Sequence, residues 1–261
     1  MRHHVMHHGI RRRRALRRRA LWTGGELLVT VGVLLLFLVV HQLWWTNREA
    51  REGAQRQVEA LEREWDDGDV RTTVPSPSPS LSAPPSGHSP SSPDTGGPGR
   101  SAAAPRETPR WSQAYAILSI PRLGLRVPVA EGVGKRAVLN QGYVGHYPGT
   151  GQPGQVGNFA LAGHRNTHGE PFRYVNRLRP RDTIEVETED AVYTYAVSGT
   201  LPQTSAHDTG VIREIPRSTV RPGHGYTDPG HYITLTTCTP EYSSRYRLVV
   251  WGTLASMRPR E

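Results

Sequence analysis

Cysteine occurs once in 261 residues and lysine once, against 31 arginines. A single thiol excludes an internal disulfide framework. Hydrophobic residues make up only 36%, while Gly (27) and Pro (22) are abundant, so much of the chain is not expected to pack. Internal repeats are missing, which removes repeat architectures. Helical periodicity is scarce beyond residue 110, which argues against a helical bundle there.

A net charge of +9 suggests a nucleic-acid binder until the charge is located. Residues 1–26 carry +7, residues 27–110 carry −2 and residues 111–261 carry +4. A nucleic-acid reader needs its basic footprint on the folded body. Here the footprint is a terminal block, so no nucleic-acid partner is expected.

That block, residues 1–26, leads into an uncharged stretch at 27–45 containing Leu27–Val40 and ending in Trp44-Trp45. As a helix at about 1.5 Å per residue it spans roughly 28 Å, close to a hydrocarbon core. Trp22 and Trp44-Trp45 fall where aromatic side chains settle at the two interfaces. His41-Gln-Leu-Trp-Trp-Thr46 offers no small-x-small site, so an uncleaved single-pass anchor is expected rather than a signal peptide. The arginines place residues 1–26 as a cytoplasmic tail of the cell membrane and export the remainder to the extracellular side. Residues 46–70 read as a polar, helix-prone, solvated stalk with mixed charges. Residues 71–110 contain ten prolines among Ser and Gly, a disordered linker expected to hold the rest away from the membrane and let it search.

Residues 111–258 read as the folded domain. Short β-prone runs appear at 115–120, 125–130, 158–163, 183–188, 191–199, 232–238 and 246–254, several with period two. A single helical turn is expected near 173–178. The class is all-β, a closed barrel or a sandwich.

Cys238 ends the run Tyr232-Ile-Thr-Leu-Thr-Thr-Cys238, just before Thr239-Pro240. A free cysteine is commonly a small buried hydrophobe; a strand end aimed at a cleft favours a nucleophile instead. A thiol of ordinary pKa near 8.5 needs a base or cation nearby. His164 follows Phe159-Ala-Leu-Ala-Gly163 and also sits at a strand end. His146, His168, His207, His224 and His231 are expected as solvated or capping residues. Arg247 lies on the strand that a turn at 242–244 returns alongside Cys238, where its guanidinium can support an oxyanion. Arg245 shares its parity and is the rival. No metal site is expected.

Thr234-Leu-Thr-Thr-Cys238, with Arg247 on the next strand, resembles the sortase active-site signature. Gly145-His-Tyr-Pro-Gly-Thr150 through Gly163-His-Arg165 resembles the segment bearing the sortase histidine, and Gly169-Glu-Pro-Phe172 the loop that follows. The resemblance covers roughly 111–254 and is greatest to class E sortases of high-GC Gram-positive bacteria. It implies a closed eight-stranded β-barrel and a membrane-anchored cysteine transpeptidase without cofactors. Cys238, His164 and Arg247 are then catalytic, with Tyr147 and Thr236 in substrate binding. The implied partners are secreted proteins bearing an LAxTG- or LPxTG-like sorting signal and an amine of the peptidoglycan precursor. Residues 201–231, rich in Gly, Pro and His, depart from the family pattern. A pilin-polymerising relative and a non-catalytic tethered β-barrel binding module are the alternatives. An L,D-transpeptidase or papain-like peptidase is disfavoured by the motifs and by His preceding Cys.

Overall fold

The computed structural model describes residues 7–72 and 114–260. A single helix, α1 (His7–Thr72), precedes eight strands. Its Leu21–Asp67 portion contains a window long and apolar enough to cross a membrane, none of it covered by the rest of the protein. Leu34–Val40 is exposed along this stretch.

Downstream of that window the helix differs from the solvated stalk expected at 46–70. Ala50, Ala54, Val58, Leu61 and Trp65 are all buried. Their steps of four, four, three and four residues keep them on one helical face. Val58, Leu61 and Trp65 pack with Ala114, Ile117, Ala130 and Val138 of the barrel domain. Burying Val58 and Leu61 contributes about 1.5–3 kcal/mol each, more than the exposed ion pairs around them. Those pairs are Arg126–Glu62 and, at 2.7 Å, Arg260–Asp66. Gly142 permits the approach: a Cβ there would lie 2.7 Å from Ala50 O. The barrel is thus docked on the helix, not held at a distance from it. The Pro/Ser-rich linker expected at 71–110 lies, from residue 73 onward, outside the described residues.

The strands are β1 (Ala114–Ile120), β2 (Leu125–Glu131), β3 (Val144–His146), β4 (Gly157–Ala162), β5 (Thr183–Glu187), β6 (Ala191–Ser205), β7 (His231–Thr239) and β8 (Tyr246–Pro259). They close into a barrel in the order β1-β2-β3-β4-β7-β8-β6-β5. The β5–β1 pairing completes the ring and decides between barrel and sandwich. β3, three residues long, is too short to show alternation in sequence. β6 and β8 outrun the expected 191–199 and 246–254, because they pair with each other through three register shifts that break the period-two pattern. The helical turn appears as a 3-10 turn at Val175–Arg177. The barrel core includes Leu118, Val129, Phe159, Leu161, Phe172, Ile184, Tyr195, Ile233, Leu235 and Val250.

Candidate active site

β4 and β7 run parallel, with Ala162 opposite Thr236. His164 and Cys238 each lie two residues beyond that pair, so a parallel register brings both to the same end of the barrel. The pairing is locked by side chains. Thr236 Oγ1 donates to Leu161 O at 3.0 Å and Thr237 Oγ1 to Gly163 O at 2.8 Å. Gly163 must lack a side chain, since a Cβ would stand 2.7 Å from the Phe172 ring. Phe172 in turn donates its N–H to His164 O at 3.0 Å.

β7 and β8 are antiparallel, and Cys238 is the direct register partner of Arg247. Arg247 Nη1 donates to Ser244 O and Tyr246 O at 2.9 and 3.0 Å, fixing the guanidinium at the turn. Arg245, the rival, precedes β8, is exposed and lies over the Tyr246 ring at 5.2 Å. Cys238 is a free, half-buried thiol. It shares a cleft of about 640 Å³ with His164, His168, Arg247, Lys135 and the α1 residues Thr46 and Asn47.

His164 Nε2 donates to Asn140 Oδ1 at 2.9 Å, which leaves the Nδ1 lone pair in the neutral ring. Burial, the stacked His168 ring 5.3 Å away and the Lys135 charge together lower the His164 pKa from 6.5 to about 4. The ring is therefore neutral near pH 7, able to accept a proton. Burial also lowers the His168 pKa. Beneath the thiol, buried Arg165 donates from Nη1 to Cys238 O at 3.2 Å and to Thr239 Oγ1 at 3.0 Å. Arg165 Nε, Asn166 Oδ1 and His168 Nδ1 are buried polar atoms without a hydrogen-bond partner among the described residues.

Tyr147 and Thr236 do not line this cleft. They meet each other, Tyr147 Oη lying 3.1 Å from Thr236 Oγ1. Thr236 has the strand parity of Cys238, so it lies on the same outer face of β7. Two histidines differ from expectation. His168 belongs to the cleft. His146 is buried, its Nδ1 2.6 Å from Glu131 Oε2 and its Nε2 2.9 Å from Thr150 Oγ1. His207, His224 and His231 are exposed as expected. Sequence reasoning passed over Asn140, Lys135, Arg165 and Glu170, which are ordinary loop residues until the fold gathers them. The contribution of α1 was signalled by the row Ala50, Ala54, Val58, Leu61 and Trp65.

Residues 201–231 are organised around one carboxylate. Buried Asp208 accepts from Thr204 Oγ1 at 2.6 Å, from Ser218 Oγ, and from Thr219 N and Oγ1, both at 2.9 Å. Among the described residues no cluster of three or more His, Cys, Asp or Glu is placed to hold a metal ion.

A family model described as sortase domain matches residues 118–255. Sortase SrtE1 of Streptomyces coelicolor is 40% identical over 241 residues, 90% of this chain and 57% of that protein. The chain thus spans little more than half the length of that relative. Sortase SrtE2 of the same organism is 33% identical over 235 residues, covering 88% of this chain and 80% of the other. The crystal structure of sortase E1 from Streptomyces coelicolor, with a tripeptide in the active site, is similar with a TM-score of 0.54 and 49% identity, over 57% of this chain and 92% of that one. Sortase E from Streptomyces avermitilis is similar with a TM-score of 0.50 and 38% identity, over 57% and 93%. This chain belongs to the sortase family.

Proposed function

We propose that the protein is a membrane-anchored cysteine transpeptidase that cleaves a C-terminal sorting signal between Thr and Gly and transfers the protein to a cell-wall amine. The observation carrying this reading is the convergence of Cys238, its register partner Arg247 and neutral His164 on one cleft. His164 Nδ1 takes the thiol proton, and the Cys238 sulfur attacks the Thr carbonyl carbon. The guanidinium of Arg247 supports the oxyanion. The C–N bond breaks as the imidazolium returns its proton to the leaving glycine amine, giving a thioacyl enzyme. A cell-wall amine then attacks the thioester and loses its proton to His164. Collapse expels the Cys238 thiolate, which recovers that proton.

Tyr147 and Thr236 are assigned to the sorting-signal site, with preference for the alanine-containing L-A-x-T-G form. Their mutual hydrogen bond on the outer face of β7, two residues from the thiol, supports that assignment. The apolar window in α1 supports a single-pass anchor, and the arginine block before it an inward N-terminus with the barrel outside.

The test is mass spectrometry of Cys238 after incubation with L-A-x-T-G and L-P-x-T-G peptides. A thioacyl adduct on Cys238, absent in Cys238→Ala, is the expected result. A protein that binds peptide but never forms the adduct is a binding module instead. Labelling of Cys238 in intact cells by a membrane-impermeant thiol reagent checks the orientation.

A further inference from the structure

Asn47 and Arg51, one turn apart on α1, grip the loop that continues from His164. Arg51 donates from Nε to Gly169 O at 3.0 Å and from Nη2 to Glu170 Oε2 at 2.9 Å. Asn47 donates from Nδ2 to Glu170 Oε1 at 3.1 Å and accepts from Gly169 N at 3.4 Å. The Glu170 side chain is only 5% exposed, and Arg173 Nη1 completes its partners at 2.7 Å. Both His168 and Glu170 have positive φ, 51° and 54°. Residues with a Cβ keep such a backbone only where their surroundings hold them, and such residues cluster at functional sites. His168, next to Gly169 in this loop, stacks on the His164 ring, and both histidines line the cleft with Cys238.

We infer that Asn47 and Arg51 are positioning residues: by holding Gly169 and Glu170 they fix the strained His168 loop against His164, making the helix that bears the apolar span a working part of the catalytic cleft. Because the Glu170 carboxylate is buried, the grip also contributes to stability, so its positioning role is read from kinetics and pH dependence. The apolar row from Ala50 to Trp65 already docks the helix. What the grip adds is geometry, and small displacements of a proton-transfer group have large effects on rate. The grip also sets the cleft beside Thr46, the residue directly after the Trp44-Trp45 pair.

The inference rests on the proposed peptidase activity for one of its two readouts. Full-length protein in detergent micelles is assayed with a fluorescence-quenched L-A-x-T-G peptide. For Asn47→Ala/Arg51→Ala, kcat is expected to fall by about tenfold or more while KM stays within about twofold. The acidic limb of the pH profile moves up, because a relaxed loop leaves His164 less buried. The melting temperature falls as well, since buried Glu170 loses two partners, so kinetics are compared at a temperature where both proteins are fully folded. Arg51→Lys recovers activity only in part, since an ammonium cannot supply both bonds of the fork. Arg48→Ala, which removes a residue bonded only to Glu52 and lying over Trp44, retains wild-type kinetics. A double variant with wild-type kcat and pH profile overturns the inference, as does an equal loss in Arg48→Ala. If the wild-type enzyme leaves the peptide uncut, the proposed function fails, and the pH dependence of Cys238 alkylation by iodoacetamide becomes the readout. An unshifted alkylation profile in the double variant then overturns the inference.

Discussion

Thr237 donates its buried hydroxyl to the carbonyl of Gly163 at 2.8 Å, so the residue before Cys238 is bonded to the residue before His164. The two groups of the proposed reaction are thereby referenced to each other through one short link between parallel strands. Replacing Thr237 with Val keeps the shape and deletes the donor. The expected loss is about 1–3 kcal/mol of stability, the penalty for an unsatisfied buried carbonyl. Urea unfolding measures it. Peptide cleavage by Thr237→Val is expected to fall even under conditions where the protein remains fully folded.

Gly163→Ala tests the same link from the other side. Its Cβ would meet the Phe172 ring at 2.7 Å, and Phe172 is a fully buried core residue. Overpacking of this kind destabilises by about 1–3 kcal/mol. Because Phe172 also bonds His164 O, relief of the clash moves the histidine. Thermal melting and peptide cleavage are both expected to fall.

The lowered pKa of His164 has two consequences with the same sign. Below about pH 4 the ring is protonated and cannot accept the thiol proton, so the acidic limb of kcat/KM is expected near pH 4, not near the ordinary 6.5. In the same interval the unfolded chain binds a proton that the folded ring does not. Stability therefore declines as pH falls from 6.5 towards 4. His168→Gln removes the second-largest cause, the neighbouring ring, and is expected to move the limb upward. A limb that stays in place in that variant contradicts the assignment.

Asp208 titrates in the opposite sense. Burial pushes its pKa up, but hydrogen bonds from Ser218, Thr204 and Thr219 outweigh burial and hold it below the usual carboxylate range. A depressed folded pKa stabilises above the ordinary carboxylate pKa, and the contribution is lost as pH falls through the folded value. Asp208→Ala leaves the buried hydroxyls of Thr204 and Ser218 without their acceptor and is expected to cost about 2–4 kcal/mol at pH 7. Urea unfolding at pH 7 and pH 3 checks both statements, the gap between variant and wild type narrowing at the lower pH.

Docking of the helix is tested by Leu61→Ala, a buried residue of the helix–barrel cluster. A loss of about 2–4 kcal/mol is the usual scale for such a truncation. Limited proteolysis within 50–65, a stretch whose inner face the barrel covers, is expected to accelerate in the variant.

Legibility followed the range of the interaction. Ile184 and Val186 alternating with Glu185 and Glu187 announced β5, since strand parity is a property of adjacent residues. Cys238 and His164 could each be placed at a strand end for the same reason. β3 could not be seen, as Val144–His146 is shorter than two alternations. The buried face of α1 was written in residues 50–65 yet hidden by the charges between them.

The sequence by itself determined the apolar stretch at 27–45, the β class of 111–258 and the chemical identity of the lone thiol with its histidine and arginine. Those depend on composition, local period and strand termini. Tertiary structure alone decided that β5 closes on β1, that β4 and β7 pair in parallel so that Ala162 faces Thr236, and that Arg51 reaches Glu170. Each of these joins segments between 66 and 119 residues apart, and no local periodicity encodes which distant partner a strand edge or an arginine will find.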